Sequence, residues 1–431
     1  MGDKTWIVGD YKVKPLISVI LTSYNKPLFI GKAIESMLNQ TETNWELFIM
    51  DDNSNIDTVN IIRKYIEDPR IYYYNSNVKN EDRYKTTRYA TLINIALKMI
   101  KGKFVSYLTD DTIFSPQRLK LMVKYFLQNQ DCNILYSSQL VKEVNMEGKE
   151  IHNFVRQARG CLENAAFAVD HCSVMHRREV LDDIYIKYGD YWDADPCNWN
   201  HGDAIFWKRL NESNIFWPLD KILDVTYKTP NSFQLLFESI PANIIEGTIV
   251  ESVLGDLFYI QNQSRKRIKK ELFQIFRFDK GRIVRIPDPF LYKIPESEPL
   301  SLKHLPNFIL IYDNKTNSYF YLEDGKKRLI VNQLAMYQLK FNSKDAIILN
   351  HLDLNLIQDG SPLTTINRKE FIPPGRKVFR VNNKLWICFS GMIFEVDPHI
   401  AKKFHLEKNP ILISSDVLQR FKKGDPIIPL Q

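Results

Sequence analysis

Cysteine is scarce: five residues, at positions 132, 161, 172, 197 and 388, are spread over 431 positions with no C-x-x-C pair. That pattern excludes a disulfide framework and suits reduced thiols in a cytosol. No apolar run approaches the ~18 residues that span a bilayer. The opening Met1-Gly2-Asp3-Lys4-Thr5-Trp6 also lacks the apolar core of a signal peptide, so the expectation is a cytoplasmic protein. Neither sign of charge dominates: 58 basic against 51 acidic residues leave a net +7. So mild a balance makes no case for nucleic acid, but it is compatible with an anionic substrate or loose attraction to an anionic membrane surface. His171-Cys172 and His176 lack the other half of a four-ligand zinc motif.

What is present divides into two halves. The length predicts two domains, since one core rarely organises so long a chain. Over residues 16–135, short apolar runs alternate with helical periodicity. Leu16–Leu21, Trp45–Met50, Ile71–Tyr74 and Phe104–Tyr107 read as strands. Ile30, Ile34, Met37 and Leu38 recur at helical spacing, as do Val59, Ile61, Ile62, Tyr65 and Ile66. Leu119, Met122, Val123, Phe126 and Leu127 define a further helix face. Such repetition predicts a mostly parallel α/β sheet whose ligands sit at the carboxyl ends of its strands. Polar clusters fall at three of those ends: Thr22-Ser23-Tyr24, Asp51-Asp52 and Asp110-Asp111.

Each cluster has a chemical use. Adjacent carboxylates after a strand suit Mg²⁺ or Mn²⁺, which keep part of their water shell and take one or two carboxylates plus phosphate oxygens. Tyr24 offers a stacking face and Asp52 an acceptor for the imide N–H of a pyrimidine. The turn Thr22-Ser23-Tyr24-Asn25-Lys26 has no glycine. A sugar nucleotidyltransferase, which needs a glycine-rich cradle for a triphosphate, is therefore disfavoured. Asp203 precedes the apolar helix face Ile205, Phe206, Leu210 and could be an N-cap.

After about residue 246 an internal repeat appears. Phe258-Tyr259-Ile260 with Lys266-Arg267-Ile268 matches Phe320-Tyr321-Leu322 with Lys327-Arg328-Leu329. Glu298-Pro299-Leu300 recurs as Ser361-Pro362-Leu363 and Asp425-Pro426-Ile427, at intervals of 63 and 64. Three degenerate units over 247–431 are expected, each a hairpin and a short helix, the last near Leu385-Trp386-Ile387. Asp324-Gly325 is a two-residue hairpin signal. Repeats of this kind bind or assemble: a basic, aromatic surface around Arg265–Lys270 and Lys326–Arg328 could recruit a polymer, or the units could hold subunits together.

The first half also carries a resemblance. Ile17–Lys26, Glu46–Asn55, Lys85–Ala90, Thr109-Asp110-Asp111, Asp170–Arg177 and Gly202-Asp203-Ala204 together resemble the family 2 inverting glycosyltransferases of the glycosyltransferase A fold. The likeness is closest to the spore coat polysaccharide enzymes of bacilli and covers about residues 15–240. It implies a catalytic domain over 1–240 that moves a sugar from a UDP or dTDP donor to a glycan hydroxyl. It also implies roles for single residues: Thr22, Tyr24 and Asp52 hold the nucleoside, Arg83 contacts base or diphosphate, Asp110 binds ribose, Asp111 binds Mg²⁺ or Mn²⁺, and Asp203 is the general base. Thr109 stands where the commonest D-x-D pattern has its first acid, so Asp111 would hold the metal alone. The Q-x-x-R-W signature of processive synthases is absent, which favours transfer of one sugar. The competing reading is a carbohydrate-binding scaffold whose transferase domain has decayed.

Overall fold

The computed structural model describes residues 6–7 and 16–430, and the chain divides into two compact units at Ser232/Phe233. In the first, strands β1 (Trp6–Ile7), β2 (Ile17–Ser23), β3 (Trp45–Asp51), β4 (Ile71–Asn75), β5 (Phe104–Thr109), β6 (Thr112–Phe114), β7 (Ile134–Val144), β8 (Glu150–Arg156), β9 (Val174–Arg177) and β10 (Phe216–Lys228) form one sheet. Its order is β1-β4-β3-β2-β5-β9-β7-β10-β6, with β8 on β7. Strands β4, β3, β2 and β5 run parallel, as the alternating pattern predicts. Beyond β5 the sheet is mixed: β9 is antiparallel to β5 and β7, and β6 to β10.

The chain steps outward from β2 to β3 and β4, then returns to the opposite side of β2 as β5, so strand order reverses between β2 and β5. That reversal opens a crevice at the strands' carboxyl ends. Side chains alternate across the strands, and both faces are covered. Ile20, Phe48, Met50, Val105 and Tyr107 pack toward helices α3 (Arg88–Leu97), α5 (Val180–Tyr188) and α6 (Gly202–Asn211), counted from α1 (Ile30–Leu38), α2 (Ile56–Ile62) and α4 (Arg118–Gln128). Val19, Leu21, Leu47, Ile49 and Leu108 pack with α1, α4 and Ile62. Burial on both faces is why these strands read as continuous apolar runs. At Gly102 a Cβ would meet Ser18 N at 2.5 Å, which fixes the close pass of the chain into β5.

One helix is shorter than its periodicity predicts. α2 stops at Ile62, and Tyr65 and Ile66 lie in turns closed by Lys64 N–Ile61 O and Tyr65 N–Ile62 O bonds, just ahead of Asp68-Pro69. Pro69 holds Asp68 out of the helical region, which sets the far limit of the helix but not its end at Ile62.

The second unit holds three sheets of like connectivity. Each has an antiparallel three-strand meander. The middle strands are Leu257–Gln261, Ser318–Glu323 and Lys384–Phe389, and they contain the three aromatic-apolar signals seen in the sequence. Tight turns follow each at Asn262-Gln263, Asp324-Gly325 and Ser390-Gly391, all with positive φ. Helices Lys270–Ile275, Gln333–Gln338 and Pro398–Lys403 come next. Strands Ile283–Arg285, Ile347–Ile348 and Ile411–Leu412 then pair parallel with the first strand of their own meander.

The expected basic, aromatic surface is only partly there: Lys269, Lys270 and Lys326 are exposed and Lys266, Arg267, Tyr319 and Phe320 are half-buried, but three of the cations turn inward. Arg265 is buried and bonds the carbonyls of Leu291 and Tyr292 and the carboxylate of Glu296. Lys327 reaches Ile357 O, and Arg328 pairs with Glu323. Phe258, Tyr259 and Tyr321 are also buried. These cations cap carbonyls inside the fold, because a buried guanidinium needs several acceptors. Among the described residues, no helix is long and apolar enough to cross a membrane.

Candidate active site

The crevice between β2 and β5 collects six of the seven residues singled out in the sequence. At the end of β2, Thr22 sits in register with Met50 and Thr109. Two residues on, the backbone N–H of Tyr24 donates to Oδ2 of Asp110 at 2.7 Å. At the end of β3, Asp52 is 4% exposed and accepts Arg83 Nη1 at 2.5 Å and Arg88 Nη2 at 2.7 Å. Ser76 Oγ also donates to it at 2.9 Å. Asp52 is not a cap: α2 is capped by Asn55, which accepts from Thr58 N. The Arg83 guanidinium lies 4.0 Å from the centroid of the Tyr24 ring, so Tyr24, Arg83 and Asp52 make one stacked, charge-paired wall.

The acidic pair after β5 is asymmetric. Asp111 accepts Lys26 Nζ at 2.9 Å and Thr109 Oγ1 at 2.9 Å. Burial pushes Asp111 up, but Lys26 and Lys228 outweigh it and hold the carboxyl below its ordinary value. Burial, with Asp111 beside it, pushes Asp110 up. Like charges this close separate in affinity for protons, and the proton goes to Asp110, which Lys26 does not hydrogen-bond. Lys26 itself is raised by Asp111 and Asp110 against the opposing effect of its own burial.

Asp203 stands apart, in the first turn of α6. It is not the N-cap: that position is His201, and Asp203 Oδ1 accepts from the adjoining Ala204 N–H. Its Oδ2 lies 4.0 Å from Nδ1 of His171. Burial raises the Asp203 carboxyl, His171 opposes that, and Asp170 adds to it. Asp170 pairs with Arg156 at 2.9 Å, and despite burial His171, Lys228 and Arg156 hold it well below the carboxylate range. Lys228, at the end of β10, is among the charges that hold both Asp111 and Asp170 low.

The segment carrying His171 is fixed from beneath. Arg118, fully buried at the start of α4, pairs with Asp224 at 2.9 Å and donates to Cys172 O at 2.7 Å. Ser137 and Gln139 complete the shell of Asp224. Trp192 meets the His171 ring edge-on.

Sequence reading missed Lys26, Arg88, His171 and Lys228 as site residues. Lys26, Arg88 and His171 lie inside the quoted segments, but their partners are far away along the chain.

Two metal questions can be tested on these residues. The ligand atoms of Asp170, His171 and Cys172 lie within 4.8 Å of one another. However, Asp170 is engaged by Arg156 and Cys172 N, and burial pushes the Cys172 thiol well above its ordinary value. Three ligand atoms are also one short of the four that a structural zinc site needs, so this group does not fit. His176 is elsewhere: Tyr107 Oη and Arg177 O occupy both ring nitrogens, and burial lowers it to about 4. Asp111 does fit a hard divalent ion, being a deprotonated carboxylate about 15% exposed at the crevice.

A doubly covered sheet with its acidic and aromatic groups at one topological reversal defines a nucleotide-diphospho-sugar transferase fold of the glycosyltransferase A type. A family model, "Glycosyl transferase family 2", matches residues 18–184. Protein CgeD of Bacillus subtilis is 42% identical over 416 residues, 96% of either chain. The chain belongs to the family 2 glycosyltransferases. The Escherichia coli UDP-Glc:alpha-D-GlcNAc-diphosphoundecaprenol beta-1,3-glucosyltransferase WfgD is 29% identical over 268 residues, covering 60% of this chain and 96% of its own. The structure of S. aureus TarS 1–349 in complex with UDP aligns at 18% identity and a TM-score of 0.37, covering 51% of this chain and 63% of that one.

Proposed function

We propose that this chain transfers one sugar per encounter from a uridine diphosphate donor to a hydroxyl of a growing surface or spore-coat glycan, with inversion. The observation that carries this reading is the joining of Tyr24, Arg83, Asp52, Asp110, Asp111 and Lys26 in one crevice, with Asp203 beside His171 and Lys228 among the charges that hold both Asp111 and Asp170 low. Kinship to WfgD, whose name specifies UDP-Glc, supports a uridine donor.

In this reading the nucleoside lies against Tyr24, whose ring Arg83 holds in place, and Thr22 and Asp52 give the base its polar contacts. Asp110 takes the ribose. Asp111 would hold Mg²⁺ or Mn²⁺, and a bound cation supplies charge neutralisation of the departing diphosphate. Lys26 and Lys228 add fixed positive charge beside the same oxygens. Asp203 accepts the proton of the acceptor hydroxyl as that oxygen attacks the anomeric carbon, and the bond to the diphosphate breaks. One carboxylate for the acceptor, and a positive cluster for the leaving group, are what a single displacement with inversion needs. We also propose that the protein works in the cytoplasm and that the second unit serves binding or assembly and takes no part in the chemical step.

The test incubates the protein with a panel of radiolabelled UDP- and dTDP-sugars, with Mn²⁺ or with chelator, and measures release and transfer of label. Label released only from UDP-sugars, and only with metal, is the expected result. No release from any donor favours the decayed-scaffold reading.

A further inference from the structure

The second unit contains a cleft of about 820 Å³ formed where the helix Gln333–Gln338 of its second sheet meets the strand Ile411–Leu412 of its third. Its floor is apolar: Phe341, Ile366, Ile411 and Val417 line it, and the last three are buried. Its rim is of another kind. Tyr337 stands 81% exposed at the edge, and the amides of Asn367 and Asn409 have no hydrogen-bond partner among the described residues.

The charge of this cleft is informative. No carboxylate lines it, and its one cation, Lys340, donates to Pro410 O at 2.7 Å. None of the basic side chains that the sequence offered as an attractive surface, Arg265–Lys270 and Lys326–Arg328, lines it, and Arg265, Lys327 and Arg328 are spent inside the fold. The ammonium of Lys340 and that of Lys377, which lies 3.7 Å over the Phe341 ring and donates to Lys340 O, are both held on backbone carbonyls rather than aimed into the cleft, and a purely apolar partner would leave the amides unpaired at a cost. Uncharged sugars match the lining: their C–H faces pack on an exposed aromatic ring, and their hydroxyls both donate to and accept from side-chain amides. The volume falls within the range of ligand pockets generally and is large enough for an oligosaccharide segment.

We propose that this cleft binds an uncharged stretch of the acceptor glycan, with Tyr337 as the stacking platform and Asn367 and Asn409 as the hydrogen-bonding groups. Its purpose rests on the reading of the chain as a transferase that extends a glycan. Binding, however, requires neither donor nor metal. Holding the polymer at a second point raises the local concentration of its end at a transfer site by tethering.

The experiment uses the full chain and measures saturation-transfer NMR to uncharged tetrasaccharides of glucose, galactose and N-acetylglucosamine, with a hyaluronan tetrasaccharide as the anionic control. Saturable transfer to at least one uncharged tetrasaccharide is expected, with little to hyaluronan. Tyr337→Ala and Asn409→Ala should each weaken it tenfold or more, and Tyr337→Phe should retain it. Tyr337 is too exposed to matter for folding, and an unchanged melting temperature checks that. Absence of transfer to every uncharged sugar overturns the proposal. So does transfer unaffected by Tyr337→Ala, or a preference for hyaluronan. UDP titration of the same sample separates the two readings: UDP binding without sugar binding leaves the transferase and removes the cleft, and the converse does the reverse.

Discussion

Lys26 Nζ sits 2.9 Å from Oδ2 of Asp111 although 85 residues separate them. The carboxylate expected to hold a cation is therefore already shared with an ammonium, so a metal at that oxygen would compete with Lys26 for it. Calorimetry should show UDP binding to the wild type strengthened by Mn²⁺, and Asp111→Asn should remove that increment. The asparagine still accepts from Lys26, so the fold is kept. Identical UDP affinity with Mn²⁺ and with chelator in the wild type would remove Asp111 as the metal ligand.

Arg83 and Asp52 are both nearly solvent-free, so Arg83→Met leaves Asp52 with Arg88 as its remaining ion-pair partner beside the Ser76 hydroxyl. Breaking a buried pair from one side costs about 3–5 kcal/mol. Urea denaturation should place Arg83→Met near that range and Arg88→Met below it. UDP affinity should fall in Arg83→Met because the Tyr24 ring loses the guanidinium that covers it. Equal stability in the two variants would mean that Arg88 carries the pair.

Asp203→Asn should lower kcat by roughly 10²–10⁴-fold, the usual effect of removing a general base, with donor KM nearly unchanged. Because burial raises the Asp203 carboxyl, activity should fall on the acid side at a pH above the ordinary carboxylate value of 3.8. His171 opposes that rise, so His171→Phe should move the acid limb to still higher pH. An acid limb unmoved by His171→Phe would separate His171 from the base.

Asp51, fully buried at the end of β3, is raised to about 6, chiefly by burial, against hydrogen bonds from Ser54 and Tyr73. A carboxyl with a folded value above its unfolded one binds its proton more tightly when folded. Its contribution to stability is therefore present below about pH 4 and lost as pH rises through about 6. The loss is about 2–3 kcal/mol at 1.36 kcal/mol per pH unit of difference. Comparing unfolding free energies of wild type and Asp51→Asn from pH 4 to 7 should show a falling slope that the variant lacks.

A chain ending at Ser232 should fold and bind UDP with affinity near that of the whole protein, since the nucleotide residues and Asp203 all belong to the first unit. Insolubility, or loss of nucleotide binding, would make the second unit part of the catalytic core.

Thr22, Tyr24, Asp52, Asp110 and Asp111 were legible because strand ends announce themselves: an apolar run stops and polar groups begin, as at Leu21, Met50 and Leu108. Arg83, in the short helix Asn80–Lys85, was reached only through the family resemblance. The partners were not legible. Lys26–Asp111, Arg88–Asp52 and His171–Asp203 join residues that only the sheet order brings together, and no local pattern encodes that order. The strands beyond residue 133 also escaped. β8 is exposed along nearly all its length, so it shows no apolar alternation. β10 contains Pro218 and two register shifts against β7. The basic clusters of the second unit misled because a sequence shows charge but not burial, and Arg265 and Arg328 are anchors inside the fold.

β10 carries a consequence for how the protein is made. Asp224, the partner of Arg118, and Thr229, 3.5 Å from Lys26 Nζ, reach back across 106 and 203 residues. While the ribosome is still short of this strand, β2, β3 and β5 can already pair, but the turn bearing His171 has no Asp224 to anchor Arg118 beneath it. Contacts between parts so distant form late. The turns bearing Lys26 and His171 therefore gain their last anchors only when the final strand of the first unit is threaded between β7 and β6, and nascent chains stopped before Phe216 should pair strands without binding UDP.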